Sequence, residues 1–237
     1  MAFHYSPNIA TNGLIFYMDP ANKNSYPGTG ATWSDLSKNM NYGSLVGGYA
    51  YDPSTLSFNV LTATSTTPAW ISVGNPLSFS DTSMYSMEFT IKLRSDAQLN
   101  TSHSLCGNGV TNPWVGIMGS PNSWRFFFRD ATLAATYCYS STITNYDLSQ
   151  KWATICFVVE ENRSIRFYLN GAFLSNATPA PATTLLNVSR LAGGYSASGG
   201  VSYPFQGFIS ATRIYDRVIS NDEILQNHNT TKSRFGI

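Results

Sequence analysis

The sequence predicts an all-β fold: a two-sheet antiparallel β-sandwich carrying one short C-terminal helix. Three observations predict it. Short segments rich in β-branched and aromatic residues recur along the chain, several alternating apolar with polar. Turns rich in Asn, Gly and Pro separate them. Helical signals are confined to the last part of the sequence. Runs of strands with a single closing helix argue for antiparallel sheets packed face to face.

Gly13–Met18 (GLIFYM) is apolar on both faces, as in a central strand covered on each side. Asp19–Gly48 reads as a long loop rich in Asn, Gly, Pro and Tyr, held by Asx turns and pinned by Trp33 and Leu36. Thr55–Val60 and Ala69–Val73 read as short strands. Ser86–Leu93 is the clearest strand: Met87, Phe89, Ile91 and Leu93 face one way, and Ser86, Glu88, Thr90 and Lys92 the other. The second row, Glu88 included, reads as a solvated face. Leu105–Gly107, Trp114–Met118, Trp124–Arg129 and Tyr137–Ser140 follow as strands.

Lys151–Glu160 is a second strand apolar on both faces, and Ser164–Asn170 alternates. Asn170-Gly171 is a strong hairpin signal, because both turn positions favour positive φ. Ala172–Leu174 is the return strand, Thr178–Thr184 a surface connection, Ser189–Gly193 the start of another strand, and Gly193–Pro204 a flexible Gly/Ser-rich loop. In Phe205–Tyr215 the apolar phase slips between Ile209 and Ile214, which predicts a bulge near Ser210–Thr212. Ser220 and Glu223 then form a capping box, and Ile224 and Leu225 dock the helix that it starts.

The chain has 237 residues, about the upper size of one all-β domain, and no charge run or linker divides it. It is read as a single domain, 1–237, with an N-terminal arm (1–12) and a C-terminal tail (230–237). Charged residues make up only 11%, less than half of the roughly 25% usual in soluble domains. Ser, Thr and Asn take their place, giving a neutral surface suited to subunit contacts and glycan contacts. A net charge of +1 gives no electrostatic footing for nucleic acid. Met1–Ala10 lacks the basic start and apolar centre of a signal peptide, and no run approaches the roughly 20 residues of a membrane span. Cys106, Cys138 and Cys156 are odd in number and form no CxxC pair; they read as small buried hydrophobes. A chain made in a cytoplasm without disulfides is expected.

Four stretches resemble the concanavalin A-like lectin/glucanase superfamily, in its laminin G-like jelly-roll branch. The opening GLIFYMDPANKNSYPGTGATWSDLSKNMNYGSL is similar to the family's N-terminal strand and Trp-Asp-Leu-Ser loop. Lys151–Gly171 resembles its Trp-containing strand with a Tyr-Leu-Asn-Gly hairpin. Gly207–Tyr215 and Asp216–Asn229 resemble its penultimate strand and Arg-x-Ile-Ser-x-x-Glu-Ile ending. The resemblance implies two antiparallel sheets with first and last strands adjacent. Thr231–Ile237 (TKSRFGI) is similar to the ends of such domains in virion proteins of tailed bacteriophages. The expected function is therefore a non-enzymatic virion component: a capsid decoration, fibre or attachment protein. Its partners would be other virion proteins, further copies of itself and host-surface carbohydrate. A stand-alone carbohydrate-binding module is the first alternative, and a glycoside hydrolase the second.

A retaining glucanase of this fold resembles Glu-x-Asp-x-Glu, which sets two carboxyl groups about 5–5.5 Å apart. The chain lacks that pattern, and its four glutamates are Glu88, Glu160, Glu161 and Glu223. The Asp-Glu of many relatives is replaced by Ser210 and Ala211. For glycans, Trp114 with Asn108, Asn112 and His103 is the candidate cluster, an aromatic platform among loop-borne polar groups. Trp124 with Arg125 and Arg129 is a second cluster, and each Trp also admits a packed-core reading. No cofactor is expected. Calcium is a further candidate through the oxygens of Asp19, Asn22, Asp35 and Asn39, although the same residues read more readily as Asx turns holding the loop.

Overall fold

The computed structural model describes residues 8–61, 69–80, 82–97, 101–108, 114–120, 123–129, 137–139, 143–144, 146–177, 186–193 and 203–237. Among them it has seventeen strands and one helix. They are β1 (Leu14–Met18), β2 (Thr32–Ser34), β3 (Tyr42–Val46), β4 (Tyr49–Asp52), β5 (Ser57–Val60), β6 (Trp70–Phe79), β7 (Tyr85–Leu93), β8 (Ser102–Gly107) and β9 (Trp114–Ser120). Then come β10 (Ser123–Arg129), β11 (Tyr137–Tyr139), β12 (Ile143–Thr144), β13 (Ala153–Val159), β14 (Ile165–Leu169), β15 (Ala172–Ala177), β16 (Leu186–Leu191), β17 (Gly207–Tyr215) and α1 (Asn221–Phe235).

Two antiparallel sheets pack face to face. Sheet one runs β15-β14-β13-β7-β17-β5-β4, with β1 also on β17; sheet two runs β11-β10-β9-β8-β16-β6-β3-β2, with β12 on β10. First and last strands are adjacent, as the resemblance implied. The inner row of β7 behaves as its alternation demands, since Met87, Phe89, Ile91 and Leu93 are all fully buried. That row contributes on the order of 6–12 kcal/mol before conformational entropy is set against it. It meets Phe157 and Phe167 of its own sheet and Phe126, Ile117 and Ile71 of the other in one continuous core.

Local signals act where the sequence places them. The β7–β17 register shifts between Ile209 and Thr212, the expected bulge. Asn170 and Gly171 take φ of 51° and 79° and join Leu169 directly to Ala172. The Ser220–Glu223 capping box is present. Cys106 and Cys156 are buried and free, while the Cys138 side chain lies outside the described residues.

Five expectations are corrected. The Asp19–Gly48 segment contains β2 and β3, because Trp33 is drawn wholly into the core and orders its flanks. β1 is not central: among the described residues it pairs only with β17, and its other edge is covered by the following loop. There the Leu36 N–H donates to the Tyr17 carbonyl (2.7 Å) and the Tyr17 N–H to Asp35 Oδ1 (2.8 Å). The helix runs on to Phe235, so most of the segment read as a tail is its last turn, ended by Gly236 at φ 67°. Finally, α1 lies against the outer face of sheet one and buries Ile224, Asn227, His228 and Thr231, while Leu225 is left exposed.

That docking also overturns the solvated reading of Glu88, which is only 1% exposed. Ile224 and Ile219 join Cys156, Val158, Tyr168 and Tyr215 in a second apolar cluster beneath the helix. Glu88 is sealed beside it.

Candidate functional site

The outer face of sheet two is built from small residues alternating with aromatic ones. Register sets one row across five strands: Ser44 opposite Ser72, Ser72 opposite Arg190, Arg190 opposite Gly107 and Gly107 opposite Trp114. Their chain neighbours Leu45, Ile71, Leu191, Cys106 and Val115 pack into the sandwich, so this row points away from it.

Three aromatic stations stand on this face. Tyr42 is 48% exposed and lies over Gly74, where a Cβ would come within 2.4 Å of ring carbons. Asn41 fixes its base by donating to the Asn75 carbonyl (2.7 Å) and accepting from the Asn75 N–H (2.9 Å). Trp70 carries the Arg190 guanidinium over its ring at 4.3 Å, and Gly193 leaves room beside it. Tyr203, in a left-handed backbone at φ 63°, stacks on Trp114 with centroids 5.3 Å apart and planes at 18°.

The expected glycan cluster is thus redistributed. Trp114 is only 1% exposed, clamped between Tyr203 and the edge of Phe127 (4.8 Å), above Gly116. It backs the outer ring and is not itself a platform. His103 is also 1% exposed and turned inward, with Nδ1 at 3.1 Å from the Pro204 carbonyl and its ring on Phe205. Asn108 is half-buried, and its carbonyl accepts from the Ser189 hydroxyl. Asn112 lies outside the described residues. Trp124 is in the core, Arg125 is exposed, and the Arg129 side chain is not among those described. Sequence reasoning passed over Tyr42 and Trp70; the glycines opposite them were the available signal, since a ring lies flat only where the neighbouring strand has no Cβ.

The candidate calcium oxygens fall into separate arrangements. Asp35 accepts from the N–H groups of Tyr17, Ser37 and Asn41 and from the Ser37 hydroxyl. Asn39 donates to the Ile15 carbonyl on the same edge. Asn22 accepts from the Asn24 N–H in an Asx turn. Asp19 instead meets Arg234 of α1 at 2.8 Å. Arg234 also donates to the Ser210 hydroxyl. Among the described residues no three His, Cys, Asp or Glu side chains gather as metal ligands.

The most perturbed carboxyl group sits under α1. Glu88 faces Arg213 at 3.7 Å, and Asn227 donates to its Oε2 at 2.6 Å. Burial outweighs the nearby guanidinium and pushes Glu88 up to about 7. Asn227 also donates to the Tyr215 hydroxyl and accepts from the Ala10 N–H, and Tyr215 donates to the Ala10 carbonyl. This network ties helix, sheet and N-terminal segment together. Glu160 bonds Arg166 and Ser164, and Glu223 serves the helix cap and Arg217.

A family profile described as the concanavalin A-like lectin/glucanases superfamily matches residues 63–225. No curated protein sequence matches significantly. Solved structures with the same fold include domain 4 of AbnA, a GH43 extracellular arabinanase from Geobacillus stearothermophilus, in complex with arabinotriose. It is 16% identical with a TM-score of 0.61, covering 92% of this chain and 100% of that one. The botulinum neurotoxin serotype D/C binding domain is 12% identical at TM-score 0.63, over 92% of this chain and 52% of that one. Trypanosoma rangeli sialidase in complex with sialic acid is 14% identical at TM-score 0.64, over 97% and 35%. The chain therefore spans all of the first, about half of the second and about a third of the last.

Proposed function

The chain belongs to the concanavalin A-like lectin/glucanases superfamily, and from that premise we propose that it is a non-enzymatic, carbohydrate-binding component of a virion surface. The observation that carries this reading is the outer face of sheet two: Tyr42 over Gly74, Trp70 under Arg190 and Tyr203 over Trp114. Sugar C–H faces stack on such rings, and the Ser44 and Ser72 hydroxyls and the Arg190 guanidinium offer hydrogen bonds to sugar hydroxyls. Arabinotriose bound to the arabinanase domain and sialic acid bound to the sialidase support a saccharide ligand.

The absence of catalysis is supported by the glutamates. Glu88 is sealed, Glu160 and Glu223 are engaged by arginines, and Glu161 is exposed in a turn beside Glu160. Retaining hydrolysis asks for two accessible carboxyl groups about 5–5.5 Å apart. The virion setting is supported by the similarity of Thr231–Ile237 to the ends of phage virion domains. In that setting the domain is made in the host cytoplasm, assembles as a homo-oligomer and meets other virion subunits. The uncharged edge strand β15 (AFLSNA) suits such contacts.

A glycan array probed with the wild-type protein and Tyr42→Ala tests the binding half. The reading predicts a defined set of neutral saccharides bound by the wild type and lost from the variant at unchanged melting temperature. Neutral-saccharide binding that ignores the substitution, or release of cleaved sugar, contradicts it. Labelled particles imaged intact test the virion half.

A further inference from the structure

A cleft opens on the opposite side of the sandwich, on the outer face of sheet one beyond the end of α1. Register places Asn59, Phe208 and Lys92 side by side on β5, β17 and β7. Phe208 lies 6.0 Å from the Trp152 ring, which in turn lies 4.4 Å from Phe235 in the last turn of the helix. Two lobes adjoin this aromatic wall. The larger, about 620 Å³, surrounds Lys92 and Phe208; the smaller, about 410 Å³, lies along Trp152 and Phe235; Gln150 lines both.

Three charged side chains line the larger lobe, and two cancel. Arg94 Nε donates to Asp96 Oδ1 (2.7 Å), Nη2 donates to Oδ2 (3.0 Å), and Nη1 donates to the carbonyls of Val60 and Leu61. Lys92 is left. It is half-buried, and its ammonium has no hydrogen-bond or ion-pair partner among the described residues. An ammonium lining a cleft without a counter-charge favours an anionic occupant. Phe208 beside it offers an apolar face, and Ser95 and Gln150 offer neutral donors and acceptors at the rim. The volume is that of a small-molecule site.

We propose that this cleft is a second binding site, taking a saccharide unit that bears one carboxylate. Lys92 holds the carboxylate, and the ring of the sugar lies against Phe208. The site shares no residue with the aromatic face of sheet two, so either can fail without the other.

The test is titration calorimetry at low salt with two disaccharides of one linkage: one containing glucuronic acid, the other its neutral glucose counterpart. The acidic sugar binds at least ten times more tightly. Lys92→Met brings the ratio close to one, Lys92→Arg keeps it, and added salt weakens only the acidic ligand. Tyr42→Ala leaves all of this unchanged, which separates the cleft from sheet two. Equal affinity for the two sugars, or a preference that survives Lys92→Met, overturns the proposal. So does binding of a sulfated counterpart in place of the carboxylated sugar. Should Lys92→Met fold poorly, Lys92→Gln carries the same reading.

Discussion

Asn227 Nδ2 donates to Glu88 Oε2 at 2.6 Å across 139 positions of sequence, joining the closing helix to the middle strand of sheet one. The bond converts what looks like a polar strand face into a second interior. Its titration has a definite sign. Glu88 is pushed from 4.5 up to about 7, so the native state holds this proton more tightly than the unfolded chain does. The resulting stabilisation is complete below about pH 4.5 and is lost as pH rises through 7. His228, held below its ordinary 6.5 by burial, acts the opposite way, its contribution fading as pH falls below 6.5. Melting curves of wild type and Glu88→Gln from pH 5 to pH 8 isolate the carboxyl group. The wild type loses stability relative to the variant as pH rises; a constant difference would assign the pH dependence elsewhere.

The helix cap is testable on its own. Ser220→Ala removes the side-chain acceptor for the Glu223 N–H and costs about 1 kcal/mol in chemical denaturation. The Arg217 guanidinium, with the Ser220 N–H, holds Glu223 down to about 2. That contribution is present above about pH 4.5 and disappears as pH falls through 2. The stability gap between wild type and Glu223→Gln should close over the same interval. A gap that stays open at pH 2 would show that the carboxylate is not its source.

Asp35 acts as a hub for β1 and its loop, accepting four hydrogen bonds, three of them from backbone N–H groups. Asp35→Ala orphans these donors and is expected to cost at least about 2–3 kcal/mol. A chelator is expected to leave the melting temperature unchanged, because the carboxylate is already satisfied by protein. A chelator-induced drop of several degrees would restore calcium to the loop.

Gly74→Ala probes the Tyr42 platform without removing its ring. The new Cβ would sit 2.4 Å from ring carbons, so the tyrosine must tilt off the sheet. Saccharide affinity is expected to fall several-fold, with little loss of stability because Tyr42 is largely outside the core. Unchanged affinity would mean that the ring is not part of the binding surface.

What was legible in the sequence was whatever depends on near neighbours. The alternation of Ser86–Leu93, the Asn170-Gly171 turn, the slip at Ser210–Thr212 and the Ser220 cap all act within a few residues. What was illegible depends on partners far away. Glu88 looks solvated until a helix more than 130 positions later is laid across it. Trp114 looks like a platform until Tyr203 stacks on it. β1 looks central because it is apolar on both faces, yet its second neighbour is a loop whose Asp35 imitates a strand. Tyr42 was hidden inside a segment read as loop, because β2 and β3 have too few alternating residues to announce themselves.

The central claim is that the outer face of sheet two binds carbohydrate and leaves it intact. Its most direct test is a titration of the labelled protein with a saccharide selected on the array, followed by heteronuclear NMR. The account predicts that shift changes concentrate at Tyr42, Trp70, Arg190 and Tyr203 while the sugar signals show no cleavage over days. Shifts confined to other surfaces, or the appearance of a new reducing end, would contradict it.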